Sequence, residues 1–342
     1  MRTGIVKDRR FANHEMGSFH VESPRRIEVL NRMVEDEILF PYLPIEPRPA
    51  TKEEIVRVHS SAYFEFLRGT SGSAPIVLDP DTSTSPGTFE TALLAAGGGL
   101  KAVEFIMEGR IRNAFALVRP PGHHAEAGRA MGFCFFNNIA VAAEHLVRKF
   151  GCRRVLIVDW DLHHGNGTQH AFYDRNDVLY FSLHQTPLFP GTGGAGETGR
   201  GNGAGFTLNF PLLSGKGDED LLWIFQRVLL PVADRFKPEF VLVSAGFDIA
   251  ERDPLGGMRI SPEGFGGLTA ALLEAAGTSA QDRLALFLEG GYDLPSLKAG
   301  VKEVLLRLAG DVRTPVSPAS ITEASKREIE PMVQAVRKSW KL

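Results

Sequence analysis

Asp159, Asp161, His163 and His164 crowd together where the apolar, β-branched run in RRVLIVDWDLHHGNG (153–167) gives out. Asp161 and His163 stand two apart, so on an extended backbone their side chains leave one face and can grip a single metal ion. Taken alone, the same letters describe a buried strand with a polar exit. A second cluster argues against that reading. Residues 119–124, RPPGHH, follow the apolar run AFALV (114–118) and end in another histidine pair. Four of the chain's ten histidines sit in these two pairs, a concentration that turn capping after Pro120 and Pro121 does not require. Two further runs end in chemistry: FVLVSAGFD (240–248) delivers Asp248, and LALFLEGGYD (284–293) delivers Gly290, Gly291 and Tyr292. Asp248 by itself reads as a loop carboxylate and Tyr292 as a turn tyrosine. A shared strand-end position with the histidine pairs makes both candidates for one site.

The elements that must position these residues follow from periodicity. Short apolar runs alternate with longer amphipathic stretches, the pattern of a parallel sheet covered by helices on both faces. Strands are predicted at 114–118, 155–159, 178–183, 207–210, 240–244 and 284–288. Helices are predicted at 24–35, 90–107, 138–149, 219–235, 262–276 and 297–308, with a last helix at 323–340 in a C-terminal tail of about 321–340. In a parallel sheet the strand ends share one edge, where α/β enzymes keep their chemistry, so ligands far apart in sequence can converge. No linker divides residues 123–292, and the expectation is one domain over 1–342. The glycine-rich stretch GTGGAGETGRGNGAG (191–205) lacks a G-K-[ST] ending and runs into TLNF, not a helix, so it reads as a mobile rim loop and not a phosphate cradle.

Composition removes several function classes. A net charge of −3 without a Lys/Arg block gives no electrostatic case for nucleic acid. No apolar span is long enough to cross a membrane, and MRTGIVKDRR lacks a signal-peptide core, so a cytoplasmic protein is expected. Cys134 and Cys152 are too few for a disulfide framework or a thiolate metal site. Any metal must therefore be held by histidine and carboxylate.

The ordered segments RPPGHHA, GFCFFNN, VDWDLHHGNGTQ, SLHQ…FPGTG, SAGFD…DPLGG and LEGGYD resemble the successive motifs of the zinc-dependent histone deacetylase family. The same superfamily holds acetoin-utilisation proteins and acetylpolyamine amidohydrolases. The likeness runs from about Gly17 to Gly310. It implies an arginase-like three-layer α/β fold with a mostly parallel eight-stranded sheet between helices, and an enzyme that removes acetyl or other acyl groups from lysine side chains or small amines.

Residue by residue, the resemblance assigns Asp161, His163 and Asp248 to a catalytic Zn²⁺, with Fe²⁺ or Co²⁺ as chemically acceptable substitutes. It makes His124 the general base and acid, His123 its neighbour paired with Asp159, and Tyr292 the donor to the oxyanion. Phe133 and Phe189 become the tunnel walls, and Gly132 and Gly291 the points of close backbone approach. Arg26 becomes the arginine beneath the metal. Asp159, Asp161, His163, Ser182 and Leu183 match a structural K⁺ site. Asn166 stands behind His124 where class I members have aspartate, which is a class II feature. Val21 replaces a proline in the loop His20–Pro24. Leu255 lies where a polyamine-selective member carries a glutamate, which favours acyl-lysine over a cationic polyamine; a small-molecule amidohydrolase is the main alternative. An arginase-like binuclear hydrolase would need a D-x-D at Asp248, where the chain reads Asp248-Ile249-Ala250. A non-catalytic acyl-lysine binding module would not need His124 and Tyr292, both present. A homo-oligomer is as compatible with these features as a monomer.

Overall fold

Runs of consecutive apolar residues satisfy strands whose two faces are both covered, and this chain places them there. In the computed structural model, which describes residues 2–310 and 319–342, ten strands form: β1 (Thr3–Val6), β2 (Tyr42–Ile45), β3 (Val77–Asp79), β4 (Thr82–Ser83), β5 (Asn113–Ala116), β6 (Val155–Asp159), β7 (Val178–Gln185), β8 (Thr207–Leu212), β9 (Phe240–Ala245) and β10 (Leu284–Leu288). Eight make one sheet in the order β2-β1-β5-β10-β9-β6-β7-β8, parallel throughout. β3 and β4 form a small antiparallel hairpin. The arginase-like α/β sheet expected from the sequence is therefore observed.

β1 and β2 were not anticipated. Both are four residues long, and unlike β5, which runs on into the apolar AFALV, β1 (TGIV) carries Gly4 and β2 (YLPI) carries Pro44, so neither stands in an unbroken apolar run. At the sheet's outer edge a missing N–H costs no ladder bond, so the proline is tolerated there.

The helices are α1 (Arg25–Asp36), α2 (Lys52–Ile55), α3 (Ser61–Arg68), α4 (Thr88–Met107), α5 (Asn138–Phe150), α6 (Asn166–Phe172), α7 (Asp218–Ile224), α8 (Leu230–Phe236), α9 (Pro262–Ser279), α10 (Leu294–Leu308) and α11 (Glu323–Trp340). α4 and α5 pack together on one face of the sheet; α9 and α10 pack together on the sheet with α1 and α7 outside them. The stretch expected as one helix, 219–235, keeps helical backbone but widens to a π-turn at Phe225–Leu229, just before Pro231. Proline cannot bond the carbonyl four residues back, that of Arg227. Arg337 of α11 takes that carbonyl at 2.9 Å. The apolar core includes Phe115, Phe181, Phe240 and Trp160. Arg26 and Arg119 are equally buried, an unusual pair of charges to find inside a domain.

Candidate active site

Strand order decides what meets. β5, β10, β9 and β6 are consecutive neighbours in the sheet, and their ends lead to His123 and His124, to Tyr292, to Asp248, and to Asp161 and His163. The ligand atoms of Asp161, His163 and Asp248 lie within 4.8 Å of one another. His163 Nδ1 is 3.3 Å from Asp161 Oδ1 and 3.2 Å from Asp248 Oδ2. The reason differs from the one the spacing suggested. β6 ends at Asp159, and Asp161 and His163 occupy the turn beyond it, where the His163 N–H donates to Asp161 Oδ1 at 2.9 Å. The convergence comes from that turn and not from strand alternation.

Backbone donors aim both carboxylates. The Gly290 N–H reaches Asp161 Oδ2 at 2.9 Å, and the Leu162 N–H reaches Asp248 Oδ1 at 3.0 Å. Burial, with the charge of Asp161 behind it, pushes Asp248 up to about 7. Two buried carboxylates this close need a positive charge between them. Two carboxylate oxygens and one imidazole nitrogen beside an open pocket suit a divalent cation with coordination positions left for other ligands.

Two histidines flank this centre with opposite electrostatics. The His123 Nδ1–H donates to Asp159 Oδ2 at 3.0 Å, and the Tyr180 hydroxyl donates to the same oxygen at 3.0 Å. Burial opposes charge on His123, but Asp161 and Asp159 outweigh it and push His123 up to about 10. His124 Nδ1 lies 2.8 Å from Asn166 Oδ1. Burial and the neighbouring His123 hold His124 well below the usual histidine range, so it is neutral and able to take a proton.

The centre opens into a cavity of about 360 Å³ walled by Phe133, Phe189, Leu188 and Leu255 and lined also by Asp161, His163, His123, His124, Asp81 and Tyr292. Phe189 stands 5.1 Å from the His124 ring and Phe133 stands 5.9 Å from the Tyr292 ring, both edge to face. Gly132 is needed between them: its φ is +56°, and a Cβ would strike the His124 ring and come 2.9 Å from Phe189 Cε1. The Phe133 N–H donates to Thr82 Oγ1 at 2.9 Å, so the β3–β4 hairpin holds that wall.

Residues 20–308 match the histone deacetylase domain family. The chain belongs to the histone deacetylase family. It is 40% identical over 302 residues to the histone deacetylase-like amidohydrolase of Pseudomonas aeruginosa, covering 87% of this chain and 80% of that one. It is 40% identical over 335 residues to the polyamine deacetylase HDAC10 of Homo sapiens, covering 94% of this chain and half (50%) of that one. The crystal structure of the HDA15 HD domain superposes with a TM-score of 0.92 at 37% identity, covering 100% of this chain and 97% of that chain.

Within this histone deacetylase family site, one expected position moves. Gly291 does not line the cavity; Gly290 does. At Gly291, with φ +118°, a Cβ would fall 2.7 Å from Phe247 Cβ, so the residue serves packing behind the site. A Cβ at Gly290 would strike the Asp248 carboxylate and come 2.8 Å from Asp161 Oδ2. Close approach is thus required at Gly290, toward the ligand carboxylates. Arg26 is buried and donates to the carbonyls of Gly291 at 2.7 Å and Glu289 at 2.5 Å and to Glu22 Oε1 at 3.0 Å. Val21 is exposed, while its neighbour His20 stacks edge to face on Phe133 at 4.7 Å. His164 has no contact with the ligand atoms; it hydrogen-bonds Thr192 at 2.7 Å and Gln169 at 3.0 Å. That contact helps tie down the glycine-rich rim loop, whose Gly193 and Gly194 N–H groups also donate to Glu197 at 3.0 Å and 2.8 Å.

Three carboxylates in this histone deacetylase family site escaped the sequence reading. Glu289 accepts the Gly122 and His123 N–H groups at 2.6 Å and 3.2 Å, fixing the turn that presents the histidines. Asp253 accepts from the Tyr292 N–H at 2.6 Å and from the Leu255 N–H at 3.0 Å. Glu126 lies behind Asn166. Glu289 sits inside LEGGYD and could have been suspected, since a carboxylate ending an apolar run must find donors. Asp253 likewise opens the DPLGG segment, while nothing in the spacing flags Glu126.

Proposed function

We propose that this chain is a zinc-dependent amide hydrolase that releases acetyl or other acyl groups from lysine side chains or related small amines. The observation that carries the reading is one cavity between two phenylalanine walls that is lined by a neutral His124, by Tyr292 and by Asp161 and His163, whose ligand atoms meet that of Asp248 within 4.8 Å. Asp161, His163 and Asp248 would hold Zn²⁺, which as a Lewis acid polarises a carbonyl and makes water a better nucleophile.

The side chains perform the rest. The methylene stem of an acyl-lysine lies between Phe133 and Phe189, gaining about 0.8 kcal/mol per buried CH₂. His124, neutral at the outset, takes a proton from the attacking water as the new C–O bond forms. It then returns that proton to the amine nitrogen as the C–N bond breaks, leaving the carboxylic acid and the amine, between which a proton passes to give carboxylate and ammonium. The Tyr292 hydroxyl donates to the former carbonyl oxygen as negative charge grows there. Burial keeps Tyr292 protonated, well above the usual tyrosine range, so it remains a donor. His123, cationic beside Asp159, adds positive charge next to the reacting centre.

A structural K⁺ belongs to the same proposal. Asp159 and Ser182 are register partners on β6 and β7, with Leu183 following, so the residues proposed to hold it are contiguous. The Ser182 hydroxyl is also hydrogen-bonded to His184 Nδ1 at 2.9 Å. Exchange of K⁺ for a large organic cation is expected to lower the melting temperature.

Leu255 in the cavity wall supports acyl-lysine over a cationic polyamine, because a leucine offers no charge to pair with an ammonium. The amidohydrolase and polyamine deacetylase names of two relatives keep small amides in the test. Hydrolysis of acetyl-lysine peptides and acetylated polyamines is to be measured side by side, before and after chelation and after Zn²⁺ return. The expected result is peptide preference, loss on chelation and recovery with Zn²⁺. Tyr292→Phe is expected to lower kcat about 10²-fold with little change in KM. Activity that survives chelation would overturn the reading.

A further inference from the structure

Behind His124, one side chain beyond Asn166, stands the carboxylate of Glu126. Asn166 Oδ1 faces His124 Nδ1 at 2.8 Å, and Asn166 Nδ2 donates to Glu126 Oε1 at 2.5 Å and to the His124 carbonyl at 3.2 Å. The two acceptors on the Nδ2 side fix the amide: turned over, its oxygen would face a carboxylate and a carbonyl. With Oδ1 held toward His124, Nδ1 must carry the hydrogen and Nε2 keeps its lone pair. Glu126 is itself held. His170 Nδ1 lies 2.9 Å and 3.0 Å from its two oxygens, an arrangement open to solvent on the His170 side. The backbone around Glu126 is secured separately, its N–H to the Arg129 carbonyl at 3.0 Å and its carbonyl to His59 Nδ1 at 2.8 Å. Its carboxylate is therefore not needed to shape the turn.

We infer that Glu126 is a positioning residue for the hydrolytic base, acting through the Asn166 amide to fix the His124 tautomer. The inference rests on His124 being the base. It carries a consequence for position 166: aspartate there would set two carboxylates within hydrogen-bond distance, with no donor between them. Asparagine is required because Glu126 is present.

Six proteins test this: parent, Glu126→Gln, Asn166→Asp and their double variant, with Glu126→Ala and His124→Ala beside that cycle, each measured for kcat, KM and melting temperature. Asn166→Asp is expected to lower both kcat and melting temperature. Adding Glu126→Gln is expected to raise both again, because a glutamine amide can donate to the new carboxylate. Glu126→Ala, which frees the Asn166 amide, is expected to lower kcat about ten-fold with KM within about two-fold. If the double variant shows only the sum of the single effects on melting temperature and their product on kcat, the coupling is absent and the inference falls. It falls also if Glu126→Ala leaves kcat at the parent value or loses activity through KM alone. His124→Ala separates the two claims. Activity retained there defeats the role of His124 as base, while the melting-temperature cycle still reports whether Glu126 and residue 166 are coupled.

Discussion

The two oxygens of Asp253 hold two parts of the site at once, the Tyr292 backbone on one and the Leu255 backbone on the other. Asp253→Ala is expected to cost about 10- to 100-fold in kcat and to loosen selectivity between peptide and polyamine substrates, seen in parallel steady-state assays. Gly132→Ala adds a side chain in a left-handed conformation where the His124 ring leaves no room. It is expected to lose roughly 1–3 kcal/mol of stability by denaturant titration, with most of the activity. At this scale the candidate residues Asp161, His163 and Asp248 and the histidine pairs were legible, because only a few side chains can bind a metal or carry a proton at neutral pH, and the family resemblance grouped the first three. Asp253 and Glu126 were not. The partners that tie them to the site, the Tyr292 N–H for Asp253 and the Asn166 amide for Glu126, lie 39 and 40 residues along the chain, and such hydrogen bonds leave no pattern in local sequence.

Elements set those residues in place through their ends more than through their interiors. The strands that carry the site were legible as apolar runs, and β6 and β10 match the predicted bounds. β1 and β2, interrupted by Gly4 and Pro44, lack the apolar run that marked the equally short β5, and the turn after β6 brings Asp161 and His163 together without an extended backbone. α11 illustrates an element whose extent the sequence showed and whose job it did not. It covers the edge strand β8, with half-buried Trp340 donating Nε1–H to the Gly205 carbonyl at 3.2 Å and stacking near Phe206 at 5.7 Å. Trp340→Ala is expected to lower stability by about 1–3 kcal/mol while kcat and KM stay near the parent values, measured by thermal unfolding and steady-state kinetics.

Across the whole molecule, burial sets the response to acid. Burial pushes His14 down to about 3, His59 to about 4 and His184 to about 3. His59 is satisfied as a neutral ring, Nδ1–H donating to the Glu126 carbonyl and Nε2 accepting the Asn137 N–H. The unfolded chain binds protons on these rings near pH 6.5 and the folded chain does not. Their stabilising contribution is therefore complete above about pH 6.5 and lost as pH falls toward the folded values. The melting temperature is expected to drop steadily from pH 7 to pH 4. His59→Gln is expected to flatten that slope by up to about 1.4 kcal/mol per pH unit, the linkage of one proton.

The same scale separates two sources of information. Sequence by itself determined which side chains are candidates for chemistry, since carboxylates, histidine pairs and a tyrosine at strand ends are marked by side-chain type, and it determined the α/β class, since apolar runs and amphipathic stretches alternate. Only the tertiary structure decided which strand ends are neighbours. β5, β10, β9 and β6 adjoin in that order although β10 comes last in the chain. It also decided that Gly290 approaches the ligands and that a carboxylate backs Asn166. Each of these depends on contacts between segments remote in sequence, which periodicity along the chain does not encode.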